Sequence, residues 1–183
     1  PSDVIGWWGG DSNPFDLAGA NGGSLIGSVA FVPGYVSDAF QFDGSSNVEI
    51  PDAPELNPYD QLTIETWVYA PEPTWDHQDL VSKDGEGFDR QYLLTISDAN
   101  TFRAHVGVST GFKWLDGSTC LDPNTWYHVA MTYDGSVMSL YVNGQPDGSE
   151  TLEYGGPIIP TTQPVRIGGG APEYQFTYMF SGR

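Results

Sequence analysis

Aromatic residues beside hydrogen-bonding residues are the feature of this sequence with the clearest chemistry. Trp75 precedes Asp76 and His77, and Trp114 lies two residues before Asp116. A sugar presents C–H groups on its ring faces and hydroxyls on its edges, so aromatic rings with polar neighbours suit it. These residues therefore predict a glycan-binding surface. The alternative is a structural role, in which the loop aromatics cover the edge of the fold. The predicted contact residues are Trp75, His77, Arg103, His105, Trp114, Tyr141 and Tyr174.

Strand parity is the reason for including Arg103 and His105. Side chains alternate between the two faces of a strand, so apolar residues at 102, 104, 106 and 108 leave Arg103 and His105 on the other face. By the same alternation, Trp67 of the predicted strand 62–70 faces outward. Packing inside the fold is the alternative role for Trp67 and Trp126. Whether these side chains share a surface with Tyr141 depends on which sheet each strand joins, and parity leaves that open.

Acidic and amide residues concentrate near the start of the chain, in "GGDSNPFDLAGANGG". Asp11, Asn13, Asp16 and Asn21 fall within eleven positions. Calcium selects carboxylate and carbonyl oxygens, so this segment predicts a calcium site. Asx-turns without a metal are the alternative, because Asp and Asn side chains readily hydrogen-bond the backbone two residues on.

The composition restricts the partners of the protein. The 183 residues carry 24 acidic and six basic side chains, for a net charge of −18. We therefore expect no nucleic-acid partner, since phosphate binding requires Lys and Arg. No run of 18 apolar residues occurs, so we expect no direct membrane insertion. Cys120 is the only cysteine, which excludes an internal disulfide and a cysteine-based zinc site. Low cysteine, high acidity and abundant aromatics are typical of a secreted bacterial protein, and the start at Pro1 suggests a piece of a longer product.

Short alternating runs between Gly, Pro, Asn and Asp clusters predict an all-β protein, because no segment keeps a helical apolar stripe. The best hairpin signal joins 126–133 to 137–142 at Asp134-Gly135-Ser136. A two-residue loop there places Val129, Met131, Met138 and Leu140 on one apolar face. The predicted strands are 4–8, 39–42, 48–50, 62–70, 79–83, 91–97, 101–108, 126–133, 137–142, 165–167 and 174–180, with 23–28 and 112–115 as weaker candidates.

The order of several motifs resembles the laminin-G-like jelly-roll domains of the concanavalin A-like lectin/glucanase superfamily, in particular the bacterial secreted kind. The motifs are "QFDG", "TIETWV", "TWYHVAMTYDG", "LYVNG" and "VRIGGG", and the similarity runs from about Val4 to Gly182. It implies one antiparallel two-sheet jelly-roll β-sandwich over residues 1–183. It also implies that Asp43 of "QFDG" lies near the acidic loop, giving a calcium set of Asp11, Asn13, Asp16 and Asp43. Members of the family usually continue into a further strand, so we expect the last strand to be missing or supplied by another chain.

The resemblance also bears on catalysis. Family enzymes that cleave β-glucans carry an E-x-D-x-E-like run on one strand, where the carboxyl groups share a face. No such run occurs, and Glu65 has Thr63 and Trp67 as its neighbours on the same face. We therefore predict a non-catalytic extracellular or cell-surface recognition module, with a glycan or glycoprotein as its partner. The alternatives are a structural or adhesion subunit that self-associates or joins neighbouring domains, and a glycan-active enzyme.

Overall fold

The computed structural model describes residues 3–71, 76–85, 89–152, 155–171 and 178–183. Within them the regular secondary structure consists of antiparallel strands and one short 3₁₀ helix at Pro54–Leu56. None of the helices in these ranges is long and apolar enough to cross a membrane. The strands are β1 (Ser24–Ile26), β2 (Ala30–Pro33), β3 (Asp38–Asp43), β4 (Asn47–Ile50), β5 (Leu62–Ala70), β6 (Gln78–Asp84), β7 (Arg90–Ile96), β8 (Thr101–Val108), β9 (Gly111–Cys120), β10 (Thr125–Tyr133), β11 (Val137–Val142), β12 (Gln145–Thr151), β13 (Val165–Ile167) and β14 (Ser181–Gly182).

The first layer of the fold is a seven-stranded sheet in the order β1-β4-β13-β6-β7-β8-β9. The second layer combines a four-stranded sheet, β12-β11-β10-β5, with a three-stranded sheet, β14-β3-β2. These two sheets are joined because Tyr69 N donates to Arg183 O at 2.8 Å and Arg183 N donates to Tyr69 O at 2.9 Å. The layer therefore runs continuously, and the predicted antiparallel jelly-roll β-sandwich is confirmed.

The core lies between the layers and follows the strand alternation that the sequence predicts. In the hairpin of β10 and β11, Met131 lies opposite Leu140 and Tyr133 opposite Met138, all buried. Asp134 N donates to Val137 O, so Gly135 and Ser136 form the two-residue loop. Gly135 has a φ of 96°, a conformation that glycine adopts without strain. The hairpin prediction is confirmed in both register and facing.

A fully buried lysine fixes the end of β6. Lys83 Nζ donates to Asp52 Oδ1 at 2.6 Å, to Thr161 O at 3.1 Å and to Gln163 O at 2.6 Å, which uses its three hydrogens. The hydrogen bond from the Lys83 ammonium lowers the pKa of the Asp52 carboxyl. This network ties two loops to the strand position next to Asp84.

Several predicted elements differ from the structure. Residues 4–8 form no strand, and there Trp8 makes only an isolated bridge to Asp16. Most of the predicted strand 174–180 lies outside the described residues. Strands β2 and β12 were not predicted. They contain Pro33 and Pro146 and lie at the edges of the second layer. An edge strand tolerates proline because one row of its N–H groups has no strand to pair with. Strand β14 lies between β3 and β5, and the expectation that a further strand is missing or supplied by another chain stays a prediction.

Candidate functional site

A polar cavity of about 130 Å³ lies on the outer face of the seven-stranded sheet. Strands β6, β7 and β8 supply most of its lining, and two residues come from segments beside β6. We call this surface the polar face. It is made by His77, Asp79, Asp84, Arg90, Leu93, Arg103, His105 and Tyr178.

The alternation of β8 places two predicted contact residues on this face. Phe102, Ala104 and Val106 are fully buried in the core, so Arg103 and His105 lie on the other side of the strand. The register with β9 pairs Arg103 with Asp116 and His105 with Trp114, and cross-strand partners share a face. Trp114 is 55% exposed and lies at the margin of the polar face. The structure thus brings His77, Arg103, His105 and Trp114 together.

Arg103 is held by a two-point ion pair. Its Nε donates to Asp116 Oδ1, and its Nη2 donates to Asp116 Oδ2 at 3.1 Å. Two parallel bonds fix the plane of the guanidinium, which leaves its remaining N–H groups in a defined orientation. A sugar hydroxyl is an acceptor that such a group can bind.

His105 is a buried imidazole in an apolar and cationic setting. Its ring stacks on Phe112, and the Arg90 guanidinium lies 5.1 Å from the centre of the same phenyl ring. Burial, followed by the charges of Arg103 and Arg90, lowers the pKa of His105 to about 3. The ring is therefore neutral at ordinary pH, and its Nδ1 has no hydrogen-bond partner among the residues described. A neutral imidazole can accept one hydrogen bond and donate another.

Asp79 is a buried carboxyl group on the same face. Its backbone N donates to Tyr178 O at 2.8 Å, which brings the segment before β14 against β6. Burial is the main cause that raises the pKa of Asp79 well above its usual range, and the charge of Asp84 adds to it. These effects favour the neutral carboxylic acid, which can both donate and accept a hydrogen bond.

Asp79 was not predicted because a β-bulge shifts the alternation of β6. The register moves from Asp79 opposite Thr95 to Val81 opposite Leu94, so one residue of β6 is extra. A second register shift, from Lys83 opposite Tyr92 to Asp84 opposite Arg90, changes the facing of Asp84 and Arg90. Such shifts change which residues share a face, and a period of two does not reveal them. Asp84 opens the segment "DGEGFD", whose acids in a glycine-rich turn favour solvation over a binding role.

Tyr141 is not part of the polar face. It lies on β11, opposite Ala130 of β10, and both strands belong to the second layer. Arg103 and His105 therefore do not join Tyr141 and His128 on one surface, because the core separates the two outer faces. Trp67 and Trp126 also lie on the outer face of the second layer rather than inside the sandwich. The predicted contacts Trp75 and Tyr174 lie outside the described residues.

The acidic loop near the start of the chain uses its carboxylates in turns. Asp16 Oδ1 accepts from Trp7 N and Ala18 N at 2.9 Å each, and its Oδ2 accepts from Asn21 N at 3.1 Å. Asn13 Oδ1 accepts from Phe15 N at 2.9 Å. The contacts with Phe15 N and Ala18 N are Asx-turns, which the alternative without a metal predicts, and those with Trp7 N and Asn21 N join more distant parts of the loop.

Asp43 does not join that loop. Asp11 Oδ1 accepts from Asp38 N at 3.3 Å, at the start of β3, whereas Asp43 ends the same strand. Five residues of extended chain span about 17 Å, so Asp11 and Asp43 cannot ligate one ion. Asp43 Oδ1 instead accepts from the Ser45 and Ser46 side chains. The four residues do not fit a single calcium site, and across the described ranges no group of three or more His, Cys, Asp or Glu could hold a metal. Calcium binding by the loop alone stays a prediction.

Comparison with known proteins places this fold in a family. Residues 42–183 match the Laminin_G_3 family, described as the concanavalin A-like lectin/glucanases superfamily. Pappalysin-1 of Mus musculus is 39% identical over 65 residues, which are 34% of this chain and 4% of that protein. The chain thus spans only a small part of this curated relative.

The solved structures that share this fold include two that cover most of this chain. Domain 4 of AbnA, an extracellular arabinanase from Geobacillus stearothermophilus solved in complex with arabinotriose, superposes with a TM-score of 0.72 at 19% identity. The match covers 94% of this chain and 84% of that chain. The binding domain of Paraclostridial Mosquitocidal Protein 1 gives 0.68 at 17% identity, covering 92% and 42%. At these identities the likeness concerns the fold.

Proposed function

Because the chain belongs to the Laminin_G_3 family of the concanavalin A-like lectin/glucanases superfamily, we propose that it is a non-catalytic extracellular module that binds an oligosaccharide on the polar face. The observation that carries the proposal is the cavity of about 130 Å³ lined by charged and imidazole groups, with exposed Trp114 beside it. Small-molecule sites combine a concave surface with a few fixed polar groups, and this face has both.

The chemistry of the polar face suits a sugar. The Arg103–Asp116 pair offers N–H donors and carboxylate acceptors in a fixed geometry, and neutral His105 adds a further acceptor or donor. Trp114 presents an indole surface against which the C–H face of a sugar ring can pack. Arg103 of the polar face is matched by the Asp116 carboxylate, and Arg90 lines the same cavity as the carboxyl groups of Asp79 and Asp84. A neutral oligosaccharide is therefore the favoured ligand class.

One structural neighbour supports an oligosaccharide as the ligand. Domain 4 of AbnA was solved with arabinotriose bound, and it covers nearly the whole of this chain. Arabinotriose is accordingly a sensible first probe, beside neutral glucan, xylan and mannan oligosaccharides.

The test is calorimetric titration of these oligosaccharides into the wild-type protein and into Trp114→Ala and Arg103→Gln. We expect each substitution to raise the Kd about tenfold, which corresponds to ~1.4 kcal/mol. Trp7→Ala is the matched control, because Trp7 is an exposed tryptophan whose hydrogen bonds involve only its backbone. If a bound sugar retains its affinity in both polar-face variants, the proposed location is wrong. If no oligosaccharide binds the wild type, the proposed function fails.

A glycoside-cleaving enzyme is the second candidate, and a specific observation favours it. Asp79 and Asp84 line the same cavity, and burial with mutual repulsion raises the pKa of Asp79. A neutral carboxylic acid beside a second carboxyl group is the pair that glycosidic cleavage uses. Reducing-sugar release from the oligosaccharides that bind, lost in Asp79→Asn and in Asp84→Asn while binding persists, would favour the enzyme over the module.

A further inference from the structure

A second cavity, of about 460 Å³, opens on the outer face of the second layer. Its volume lies within the range of about 300–1,000 Å³ that is common for small-molecule sites. We call this surface the aromatic face. It is made by Tyr35, Trp67, Trp126, His128 and Asn143.

Strand register explains how this face is assembled. Trp67 of β5 lies opposite His128 of β10, and Trp126 lies opposite Tyr69, so all four side chains project from the same side of the layer. Their inward neighbours Val68 and Tyr127 fill the core instead. The side chains of Trp67 and Trp126 therefore do not enter the core between the two layers.

Tyr35 reaches the same face from the loop between β2 and β3. Gly34 N donates to Ser37 O at 2.8 Å, which closes this loop into a tight turn. The Tyr35 ring stacks on Trp67 with 3.7 Å between centroids and 17° between planes, and it meets Trp126 edge-on at 6.2 Å. Tyr35 is still 57% exposed, so its outer side is open to a ligand. Rigid stacked rings make a platform that costs little conformational entropy on binding.

Hydrogen-bonding groups border the platform. Asn143 Oδ1 accepts from His128 N at 3.0 Å, which orients the amide. Within the described part of the chain, Asn143 Nδ2 donates to no group. His128 Nε2 lies 3.6 Å from Glu65 Oε2, so the Glu65 carboxylate lies at the edge of the aromatic face. Donors and an acceptor beside exposed rings match the hydroxyl edge and the C–H face of a sugar.

Charge narrows the class of ligand. The chain carries −18, and Glu65 adds a carboxylate at the rim of this face, so an acidic sugar is repelled. We propose that the aromatic face is a second saccharide-binding site, which takes a neutral sugar ring packed against Tyr35 and Trp126. This site does not depend on sugar binding at the polar face, because the two surfaces lie on opposite layers of the sandwich.

The experiment follows the indole N–H signals of ¹⁵N-labelled protein by NMR during titration with sugars. The probes are arabinotriose, cellotetraose, xylotetraose and mannotetraose, with sialyllactose as an acidic sugar and choline as a cation that aromatic rings also bind. Substitution to phenylalanine assigns the signals of Trp67, Trp126 and Trp114. We expect at least one neutral probe to shift the Trp67 and Trp126 signals at millimolar concentration, with the shift retained in Trp114→Ala.

Tyr35→Ala is the decisive variant, because it removes an exposed loop side chain and leaves the strands intact. We expect it to weaken binding at the aromatic face about tenfold, while Trp7→Ala leaves the affinity unchanged. Absence of any shift at Trp67 and Trp126 with all neutral probes overturns the proposal. So does a shift caused by choline or sialyllactose alone, or a shift that Trp114→Ala abolishes. A shift at Trp114 alone would support the polar face and reject the second site, so the two proposals fail separately.

Discussion

The imidazole of His105 lies stacked on the phenyl ring of Phe112, with 4.8 Å between the ring centroids and 19° between the ring planes. This stack covers an imidazole that the sequence places on the outer side of β8. The outer face of the seven-stranded sheet is therefore partly closed to water at the position where its polar groups concentrate. Both the pH dependence of stability and the binding chemistry of the polar face follow from that closure.

Acid should destabilise the protein through His105. Burial lowers the pKa of this residue to about 3, so the folded protein binds no proton there between pH 6.5 and about 3, whereas the unfolded chain does. Stability from this group is therefore lost as pH falls below 6.5, by about 1.4 kcal/mol per pH unit. Urea unfolding at several pH values should show a shallower acid slope for His105→Gln than for the wild type.

His128→Gln, which removes an imidazole from the opposite layer, is the control for that experiment. An equal change of slope in the two variants would contradict the assignment to His105. Phe112→Leu should give an intermediate slope, because the smaller side chain uncovers the imidazole in part.

Asp79 should lower the stability of the protein at high pH rather than at low pH. Its pKa is raised in the folded state by burial and by Asp84, so its contribution to stability is full below the unfolded value and is lost as pH rises through the folded one. Asp79→Asn keeps a neutral group at every pH. We expect its free energy of unfolding to exceed that of the wild type at pH 8–9, with little difference at pH 4.

Urea unfolding at pH 4, 6 and 9 measures this effect, with Asp60→Asn as an exposed control. A loss of stability in Asp79→Asn that is equal at all pH values would show that the carboxyl shape, not its charge state, is what the site requires.

Features set by neighbours along the chain were predictable from the sequence, and features set by contacts between distant segments were not. The turn at Gly135 and Ser136 and the outward side of Arg103 depend on neighbours along the chain, so strand alternation is enough. The separation of Tyr141 from His105 depends on which layer each strand joins, and that is fixed by packing across the core. The stack of Tyr35 on Trp67 joins a loop to a distant strand. The bulge at Asp79 inserts one residue into an otherwise regular alternation.

Metal dependence can be tested at Asp16. Burial alone would raise the pKa of its carboxyl, but backbone hydrogen bonds outweigh that effect and lower it, so the carboxylate stabilises the loop at neutral pH. Asp16→Ala should lower the free energy of unfolding by about 1 kcal/mol in calcium and in chelator alike. Thermal melts under both conditions measure this. A wild-type midpoint that rises with calcium, and a variant midpoint that does not, would instead establish calcium binding by the loop.

The backbone hydrogen bonds between Arg183 and Tyr69 predict the effect of removing β14 from the second layer. Deleting residues 181–183 removes β14 and the mutual backbone bonds that join β5 to it, so β3 and β5 both gain open edges. We expect the free energy of unfolding to fall by about 3 kcal/mol, since several backbone hydrogen bonds of about 1 kcal/mol each are lost. Open edges recruit strands from other chains, so light scattering should rise with protein concentration. Arg183→Ala is the control, because it keeps the backbone bonds and loses the contacts of the guanidinium with Tyr69, Gln41 and Pro33 O. If Arg183→Ala assembles as strongly as the deletion, side-chain contacts rather than strand pairing keep the layer closed.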